Sequence, residues 1–388
     1  MTRKTFLPFS RPDIGQGEID EVVNVLSSGW ITSGPKVAAF EKAFAEYVGS
    51  PYALTLTSCT AGLHLAMEIL DLQPGDEVIT TSLTWPATVN MIHLCGGKPV
   101  FVDVERDTFN LDASQVEEAI TKQTRAVIPV HFAGQSCDLD KLREICKAHD
   151  IELIEDAAHA VGSEYKGKRI GSGDNMAVFS FHPIKNMTTG EGGMITTHDN
   201  KTFERLRTLR FHGVDKDAWK RYACGDKAGY ELYHPGWKYN MTDIQAAIGL
   251  VQLERLDTMI EKRMTLAALY DDLLSEVHEF TRPCRTRYDI RHAWHLYTIL
   301  VDKDKAGIAR DEFMQEMGKR NIGTGLHFQA VHQLSFYKNH YPVPDGSLPE
   351  TEFISETIVS LPLYSGMNES DVHDVVTAIR DIVEKFKK

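Results

Sequence analysis

The stretch FSFHPIKNMTTGEGGMI, residues 179–195, places a lysine in a turn between two apolar runs. The runs AVFSF and GGMITT have the composition of strands, and Lys185 follows Ser180 and His182 in the segment between them. Most lysines in turns are simply solvated. At the end of a buried strand, however, a lysine amine with a lowered pKa can form a Schiff base with an aldehyde. Lys185 is therefore a candidate nucleophile if the rest of the sheet supplies matching groups.

The region from about residue 52 to residue 156 alternates short β-branched runs with helical stretches of ten or more residues. The runs are ALTLT, EVITT, KPVFVDV, RAVIPV and IELIED. This alternation predicts an α/β fold with a mainly parallel central sheet and crossover helices. Ligands of such sheets bind beyond the carboxyl ends of the strands. Lys185 follows AVFSF and is therefore expected at the ligand-binding edge.

The length of 388 residues predicts more than one hydrophobic core. Apolar residues at helical spacing from Met241 to about Glu279 indicate one long helix, or two in succession, linking two domains. Beyond it, HAWHLYTILV is typical of a strand, ARDEFMQEMGKR of a helix, IGTGLHF of a strand end and MNESDVHDVVTAIRDIVEKF of a closing helix. We expect a large domain over residues 1–250, including an N-terminal arm, and a smaller α/β domain over residues 251–388.

Composition limits the classes of partner. The net charge is −13 without a dense Lys/Arg block, which argues against nucleic acid and anionic membranes as partners. No signal peptide or membrane span is predicted, so a cytoplasmic location is expected. The six cysteines form no C-x-x-C pair, so their spacing predicts neither a zinc site nor a disulfide framework, and no metal is expected. Small-molecule chemistry is the remaining class.

Two segments nearly match nucleotide-binding motifs. GSEYKGKR, residues 162–169, ends in Arg169 where a P-loop needs Ser or Thr, and it is better interpreted as a hairpin turn. GSGDNM, from Gly171, has only two glycines of a dinucleotide fingerprint and opens no obvious helix. Neither segment predicts nucleotide binding of these kinds.

The sheet supplies the other groups that pyridoxal phosphate (PLP) requires. Asp156 ends a strand, where a carboxylate can pair with a protonated pyridine nitrogen, although a helix N-cap is the simpler alternative. In TSCTAGLHLA, small and hydroxyl residues precede a helix whose N–H groups can hold a phosphate, or which merely begins with a capping turn. Ser180 can bond the same phosphate. Trp85 can stack on the ring or belong to the core.

With these features the chain resembles the PLP-dependent sugar nucleotide aminotransferases of fold type I, the aspartate aminotransferase fold. The resemblance covers nearly the whole chain. It is carried by GWITSGPKV, TSCTAGLHLA, GDEVITTSLTWPATVN, IPVHFAG, IEDAAHAVG, FSFHPIKNMTTGEGGMITT, YNMTDIQAAIGLVQL and GTGLHF. It implies a homodimer with a composite active site.

The resemblance also implies roles for individual residues. Lys185 forms the Schiff base and acts as the general base, Asp156 pairs with the ring nitrogen, and His159 lies against the ring or its 3-hydroxyl. The remaining cofactor contacts are Thr60, Ala61 and Ser180 at the phosphate, Trp85 over the ring face, and Asn240 from the neighbouring subunit. The sugar nucleotide contacts are Trp30, Thr32, Ser33, His182 and His327. The turn departs from the family pattern at Pro183 and Gly190, which affects its rigidity more than its chemistry.

Within the family, the chain is most similar to members that convert a UDP-4-keto-pentose to UDP-4-amino-4-deoxy-L-arabinose with glutamate as the amino donor, a step of lipid A modification in lipopolysaccharide biosynthesis. A member acting on another nucleotide-linked keto sugar, such as a 4-keto-6-deoxyhexose, shares most of these motifs. A dehydratase of the same fold carries histidine in place of the Schiff-base lysine, so Lys185 argues against it. A non-catalytic relative would lack Lys185 or Asp156, and both are present.

Overall fold

A seven-stranded sheet forms the centre of the structure, a computed structural model that describes residues 2–214, 231–232, 234–282, 286 and 288–387. Its strands are β1 (Tyr52–Leu56), β2 (Glu77–Thr81), β3 (Lys98–Val102), β4 (Thr124–Ile128), β5 (Glu152–Asp156), β8 (Met176–Ser180) and β9 (Gly193–Thr197). Their order is β1-β9-β8-β5-β4-β2-β3, and β9 is antiparallel to both of its neighbours while β8, β5, β4, β2 and β3 pair in parallel. The predicted α/β fold with a mainly parallel sheet is confirmed.

Helices and one hairpin connect these strands. The helices are α1 (Gln16–Ser28), α2 (Pro35–Val48), α3 (Cys59–Leu70), α4 (Pro86–Leu94), α5 (Ala113–Ala119), α6 (Leu139–His149) and α7 (Asn200–Arg210), with a 3-10 turn at Phe132–Gly134. The predicted hairpin after Gly162 is present as β6 (Glu164–Tyr165) and β7 (Lys168–Arg169). The two helices α3 and α4 each begin a few residues beyond a strand end, so their N-termini face the ligand-binding edge of the sheet.

One continuous helix, α8 (Asp243–Leu273), occupies the region predicted as one helix or two. Its first half, through Leu256 and Ile260, packs into the core beneath the large sheet. Its second half, through Leu266 and Tyr270, packs into the C-terminal core. The helix thus belongs to two cores, and the predicted boundary after residue 250 falls inside it.

The C-terminal region has a sheet of its own, ordered β10-β12-β13. Its elements are β10 (Phe280–Thr281), β12 (Tyr297–Val301), α9 (Lys303–Ala306), α10 (Arg310–Lys319), α11 (Ser335–His340), α12 (Pro349–Thr357), β13 (Ile358–Leu361) and α13 (Glu369–Phe386), while β11 (Ile290–Arg291) pairs with β6. The prediction of a strand end in IGTGLHF is wrong. Single bridges join Ile322 to Leu7 and Gly325 to Ser360, because this segment passes between the N-terminal arm and β13 without a continuous ladder.

The N-terminal arm packs on the C-terminal region. Arg3 forms ion pairs with Asp371 and Asp374 of α13, with N–O distances of 2.8 and 2.6 Å. Leu7 is buried in the C-terminal core. In the part of the chain that the structure describes, no helix is long and apolar enough to span a bilayer.

The carboxylate of Asp243, the first residue of α8, caps a second helix. Its Oδ1 accepts hydrogen bonds from the N–H groups of Gly34 (2.8 Å) and Val37 (3.0 Å), and its Oδ2 accepts one from Lys36 N–H (3.1 Å). The carboxylate is buried and lies at the positive end of α2. This contact fixes the start of α8 against α2.

Replacement of this carboxylate should destabilise the fold. Asp243→Asn removes the charge and one accepting oxygen, so we expect the free energy of unfolding to fall by about 1–3 kcal/mol. Thermal unfolding checks this, with Asp272→Asn, an exposed aspartate of the same helix, as the matched control. Equal unfolding midpoints for the two variants would show that the cap contributes nothing.

Candidate active site

A cavity of about 400 Å³ opens where β5 and β8 end. It collects side chains that are far apart in the sequence, from Ser58 to Phe328. The predicted site residues in its wall are Thr60, Trp85, Asp156, His159, Ser180, His182, Lys185 and His327. The predicted residues outside its wall are Trp30, Thr32, Ser33, Ala61 and Asn240.

Lys185 lies in a turn that two hydrogen bonds hold in place. Its N–H donates to the carbonyl oxygen of His182 (2.9 Å), and the buried Asn186 donates from Nδ2 to the carbonyl oxygen of Ala293 (2.6 Å). The side chain of Lys185 is half-buried, but its amine lies deep among protein atoms. Desolvation lowers the pKa of Lys185 to about 8, against the opposing pull of Cys59 and Asp156. Near neutral pH the amine therefore changes readily between its charged and neutral forms.

Asp156 ends β5 and is buried in the cavity wall. Thr88 donates from Oγ1 to its Oδ2 (2.7 Å), and Ala158 N–H donates to its Oδ1 (3.1 Å). Burial raises the pKa of Asp156, while these two hydrogen bonds and the charge of Lys185 oppose that rise. Among the described residues no basic side chain forms an ion pair with Asp156. The carboxylate is thus suited to a cationic group of a ligand.

His159 is fixed in one tautomer. Its Nδ1 accepts a hydrogen bond from the N–H of Ala133 (3.2 Å), so the proton of the neutral ring is on Nε2. Burial, with the charge of Lys185, lowers the pKa of His159 well below its usual value. The ring stacks on Phe328 with centroids 5.7 Å apart. His159 therefore offers a neutral N–H donor to the cavity.

His295 was not predicted as a functional residue. It is 2% exposed, and its Nε2 lies 3.5 Å from the amine of Lys185. Burial lowers its pKa well below the usual value, and Arg263 of α8 holds its backbone by donating to the carbonyl oxygens of Trp294 and His295. The only sequence signal was the second histidine of HAWHLYTILV, inside the predicted strand. A neutral His295 can accept a hydrogen bond from the Lys185 amine and so orient it.

The N-terminus of α3 and Gly192, just before β9, contribute to the cavity wall. Ser58 Oγ accepts a hydrogen bond from the N–H of Ala61 (3.1 Å), so this N–H serves the helix cap, while Thr60 lies in the cavity wall. A Cβ on Gly193 would lie 2.5 Å from the carbonyl carbon of Ser58. Only glycine lets β9 pass this close to α3. Ser180, paired with Gly193 in the β8–β9 ladder, adds a hydroxyl beside this helix start, which is a typical anion site.

The remaining predicted contacts form a separate cluster. Trp30 donates from Nε1 to the carbonyl oxygen of Ser33 (3.1 Å), Asn240 donates from Nδ2 to Ser33 Oγ (2.6 Å), and Asp243 N–H donates to the carbonyl oxygen of Thr32 (3.0 Å). Asn240 Oδ1 is buried without a hydrogen-bond partner among the described residues. The structure thus joins Asn240 to the predicted sugar nucleotide loop, outside the cavity of the same chain.

Three side chains define the mouth of the cavity. Trp85 is 65% exposed, which excludes the alternative of a core tryptophan, and the His182 side chain is 46% exposed. His327 Nδ1 lies 2.9 Å from Ser360 Oγ, and burial with the nearby Lys185 charge lowers its pKa to about 3. All three can contact a ligand that extends out of the cavity.

The lowered pKa of Lys185 can be measured by reductive methylation. With formaldehyde and cyanoborohydride, only the neutral amine reacts, so modification of Lys185 should rise with pH through a midpoint near 8. Ordinary lysines titrate near 10.4. Peptide mass spectrometry of protein freed of small molecules follows Lys185, with the exposed Lys168 as an internal reference.

A matched variant checks the cause of the shift. Asp156→Asn removes a carboxylate that favours the charged amine, so the midpoint of Lys185 should move to lower pH. A wild-type midpoint near that of ordinary lysines would contradict the proposed desolvation.

Comparison with known proteins identifies the family. Residues 12–380 match the model of the DegT/DnrJ/EryC1/StrS aminotransferase family. The uncharacterized protein MJ1066 of Methanocaldococcus jannaschii is 45% identical over 99% of this chain and 100% of its own length.

Solved structures agree with this match. Spr1654 of Streptococcus pneumoniae in its PLP form has a TM-score of 0.90 and 33% identity, over 99% of this chain and 100% of that chain. PseC of Helicobacter pylori, an aminotransferase involved in the biosynthesis of pseudoaminic acid, has a TM-score of 0.91 and 29% identity, with the same coverage. The chain therefore belongs to the DegT/DnrJ/EryC1/StrS aminotransferase family and is a PLP-dependent sugar aminotransferase.

Proposed function

We propose that the protein transfers the amino group of glutamate to the C4 keto carbon of a nucleotide-linked sugar. The substrate proposed is a UDP-4-keto-pentose, which gives UDP-4-amino-4-deoxy-L-arabinose. The observation that carries the transfer chemistry is the pairing, in one cavity, of a lysine amine with a lowered pKa and a buried carboxylate without a basic partner. A lysine alone would serve many reactions.

The residues around the cavity fit PLP. The Asp156 carboxylate suits the ring nitrogen, the Lys185 amine suits the aldehyde, and the N-terminus of α3 with Ser180 suits the phosphate. The close approach of β9 to α3, which a side chain at Gly193 would prevent, is consistent with a site shaped for a small anionic group. When bound, PLP supplies an aldehyde that takes up the amine and a ring that accepts the electron pair of the substrate.

Lys185 is proposed to move the protons. With its Nζ free and neutral, Lys185 would take a proton from the α-carbon of bound glutamate and deliver it to the carbon that bears the transferred amine. A pKa of about 8 keeps a useful fraction of the amine neutral near pH 7 while leaving it basic enough to accept a proton. His295, 3.5 Å from Nζ, orients the amine between these positions. His159, as a neutral Nε2–H donor, is proposed to bond the 3-hydroxyl oxygen of the ring.

The sugar nucleotide is assigned to the mouth of the cavity. His182 and His327 lie in its wall, and the motifs GWITSGPK, SLTW and NIGTGLHF are those of the proposed subfamily. The neutral imidazole of His327 can bond a sugar hydroxyl or the keto oxygen without adding a second positive charge near the Lys185 amine. PseC is a relative in sugar metabolism, and its role supports a keto sugar as the class of substrate.

A homodimer with a composite site is part of the proposal. PLP, glutamate and a nucleotide diphosphate are all anionic, yet Lys185 is the one Lys or Arg among the described residues that line the cavity. Further polar and basic groups must come from elsewhere. The Nδ2 of Asn240 carries two N–H groups and donates one to Ser33 Oγ, so the other can bond a phosphate if a second copy of the chain brings this cluster to the cavity.

The substrate assignment can be tested by two half-reactions. Glutamate should convert the visible absorbance of the lysine-bound cofactor to that of the amine form, and the UDP-4-keto-pentose should restore it. Single-turnover absorbance checks this, and Lys185→Ala is the negative control. Restoration only by a 4-keto-6-deoxyhexose nucleotide would exclude the arabinose assignment. Failure of glutamate to produce any change would exclude it as the donor.

The composite site can be tested by mixing two inactive variants. Lys185→Ala and Asn240→Ala should each have little activity, but a heterodimer contains one wild-type site if Asn240 acts in the partner's cavity. Random exchange of equal amounts should then restore about a quarter of the wild-type sites. No wild-type site forms if Asn240 acts in its own chain. Steady-state turnover before and after subunit exchange separates the two arrangements, and absence of any recovery would contradict the proposal.

A further inference from the structure

Three side chains of metal-ligand type meet on a surface away from the catalytic cavity. His64 and Glu68 are one turn apart on α3, and Cys95 follows the end of α4. One ligand atom from each lies within 4.8 Å of the other two. None of the three lines the cavity. The reaction leaves this cluster without a role.

The separations fit a tetrahedral zinc site. The Nε2 of His64 lies 3.5 Å from Glu68 Oε1, and the Sγ of Cys95 lies 3.7 Å from the same oxygen. Zinc bonds of about 2.0–2.3 Å at tetrahedral angles hold neighbouring ligand atoms roughly 3.3–3.6 Å apart. The two separations that involve Glu68 are thus within a few tenths of an ångström of the tetrahedral values, and the ligand atoms of His64 and Cys95 lie less than 4.8 Å apart.

A neighbouring residue is placed to orient the histidine. Tyr239 OH lies 3.0 Å from His64 Nδ1, so the ring can donate its Nδ1 proton to this oxygen and leave Nε2 free for a metal. Hydrogen bonds of this kind to the second nitrogen are usual for metal-bound histidines. The ring of Trp237 packs edge-on to His64 with centroids 4.6 Å apart and shields one side of the cluster.

We propose that His64, Glu68 and Cys95 bind a zinc ion, with solvent as the fourth ligand. The His64 and Glu68 side chains are 16% and 31% exposed, which leaves a path for the ion and a water molecule. Binding forms a metal–thiolate bond and releases the Cys95 proton to solvent, with no change of oxidation state. The ion joins α3 to the end of α4 and, through His64, to Tyr239. Its role is structural.

The cysteine pattern could not predict this site. Its ligands come from two helices that meet only in the fold, and a single cysteine contributes. Without a metal the same groups form a chain of hydrogen bonds through Glu68, so the geometry alone has two interpretations. An experiment can distinguish the two interpretations, because a bound metal ion requires the Cys95 thiolate and the hydrogen-bond chain does not.

Cobalt is the probe of choice because Co²⁺ takes the place of zinc and has visible absorption. Untagged holoenzyme, stripped of metals, should bind one Co²⁺ per chain. Binding should produce a thiolate-to-metal band and the intense long-wavelength bands of tetrahedral cobalt. The long-wavelength bands lie outside the absorption of PLP. Cys95→Ser should abolish the thiolate band, and Cys146→Ser, a buried cysteine of α6, should retain it. Zinc should displace the cobalt and raise the unfolding midpoint of the wild type but not of Cys95→Ser.

Two further variants keep the test decisive if Cys95→Ser folds poorly. Glu68→Gln should weaken binding while keeping the thiolate band, and Tyr239→Phe should weaken it about 10-fold to 100-fold through the loss of the contact with His64. The absence of tetrahedral cobalt in the wild type would overturn the proposal. A thiolate band that is unchanged in Cys95→Ser, or a cobalt affinity that is unchanged in Glu68→Gln, would place the metal elsewhere and overturn it equally.

Discussion

The structure around the active site depends on a carboxylate, that of Asp156, which is buried without an ion pair to any described basic side chain. The residue ends β5 at the centre of the sheet, and Thr88 at the start of α4 and the N–H of Ala158 satisfy its two oxygens. These hydrogen bonds make the buried carboxylate tolerable, although they do not neutralise it. A positive charge that balances the carboxylate therefore has to come from a group bound in the cavity. In the proposed function, the protonated ring nitrogen of PLP supplies this charge.

The charge of the Lys185 amine acts on three imidazoles. Burial lowers the pKa of His159, His295 and His327, and the Lys185 charge lowers each further. Of these four groups, Lys185 is the one whose protonation changes near neutral pH. The histidines supply fixed donors and acceptors instead. This separation of roles allows a single group to transfer protons without competition from its neighbours.

The sequence was informative wherever chemistry followed a strand end. Lys185, Asp156 and Ser180 were predicted on that basis, and the structure places all three around one cavity. His295 was missed because it approaches Lys185 from a segment 110 positions away, after a chain reversal that no local pattern encodes. The strand predicted in IGTGLHF failed for a related reason, since the N-terminal arm and β13 give it only isolated bridges.

Some contacts could not be predicted from the residue patterns of a single chain. Asn240 and the loop of residues 30–33 were identified through the family resemblance, and the structure shows that they contact each other and lie outside the wall of the cavity. Motif spacing could not show either relation. The roles of these residues therefore rest on the proposed assembly, whereas the position of Lys185 relative to Asp156 is fixed within one chain.

The continuity of α8 makes its length as important as its composition. Asp243 at its first turn caps α2, and Arg263, twenty positions later, holds the backbone of His295 next to the lysine. One inserted or deleted residue between them would rotate the second contact by about 100° around the helix axis and move it by about 1.5 Å along it. The length of the helix therefore sets the spacing of the two contacts. In this segment, substitutions on the helix surface are tolerable, whereas an insertion or deletion is not.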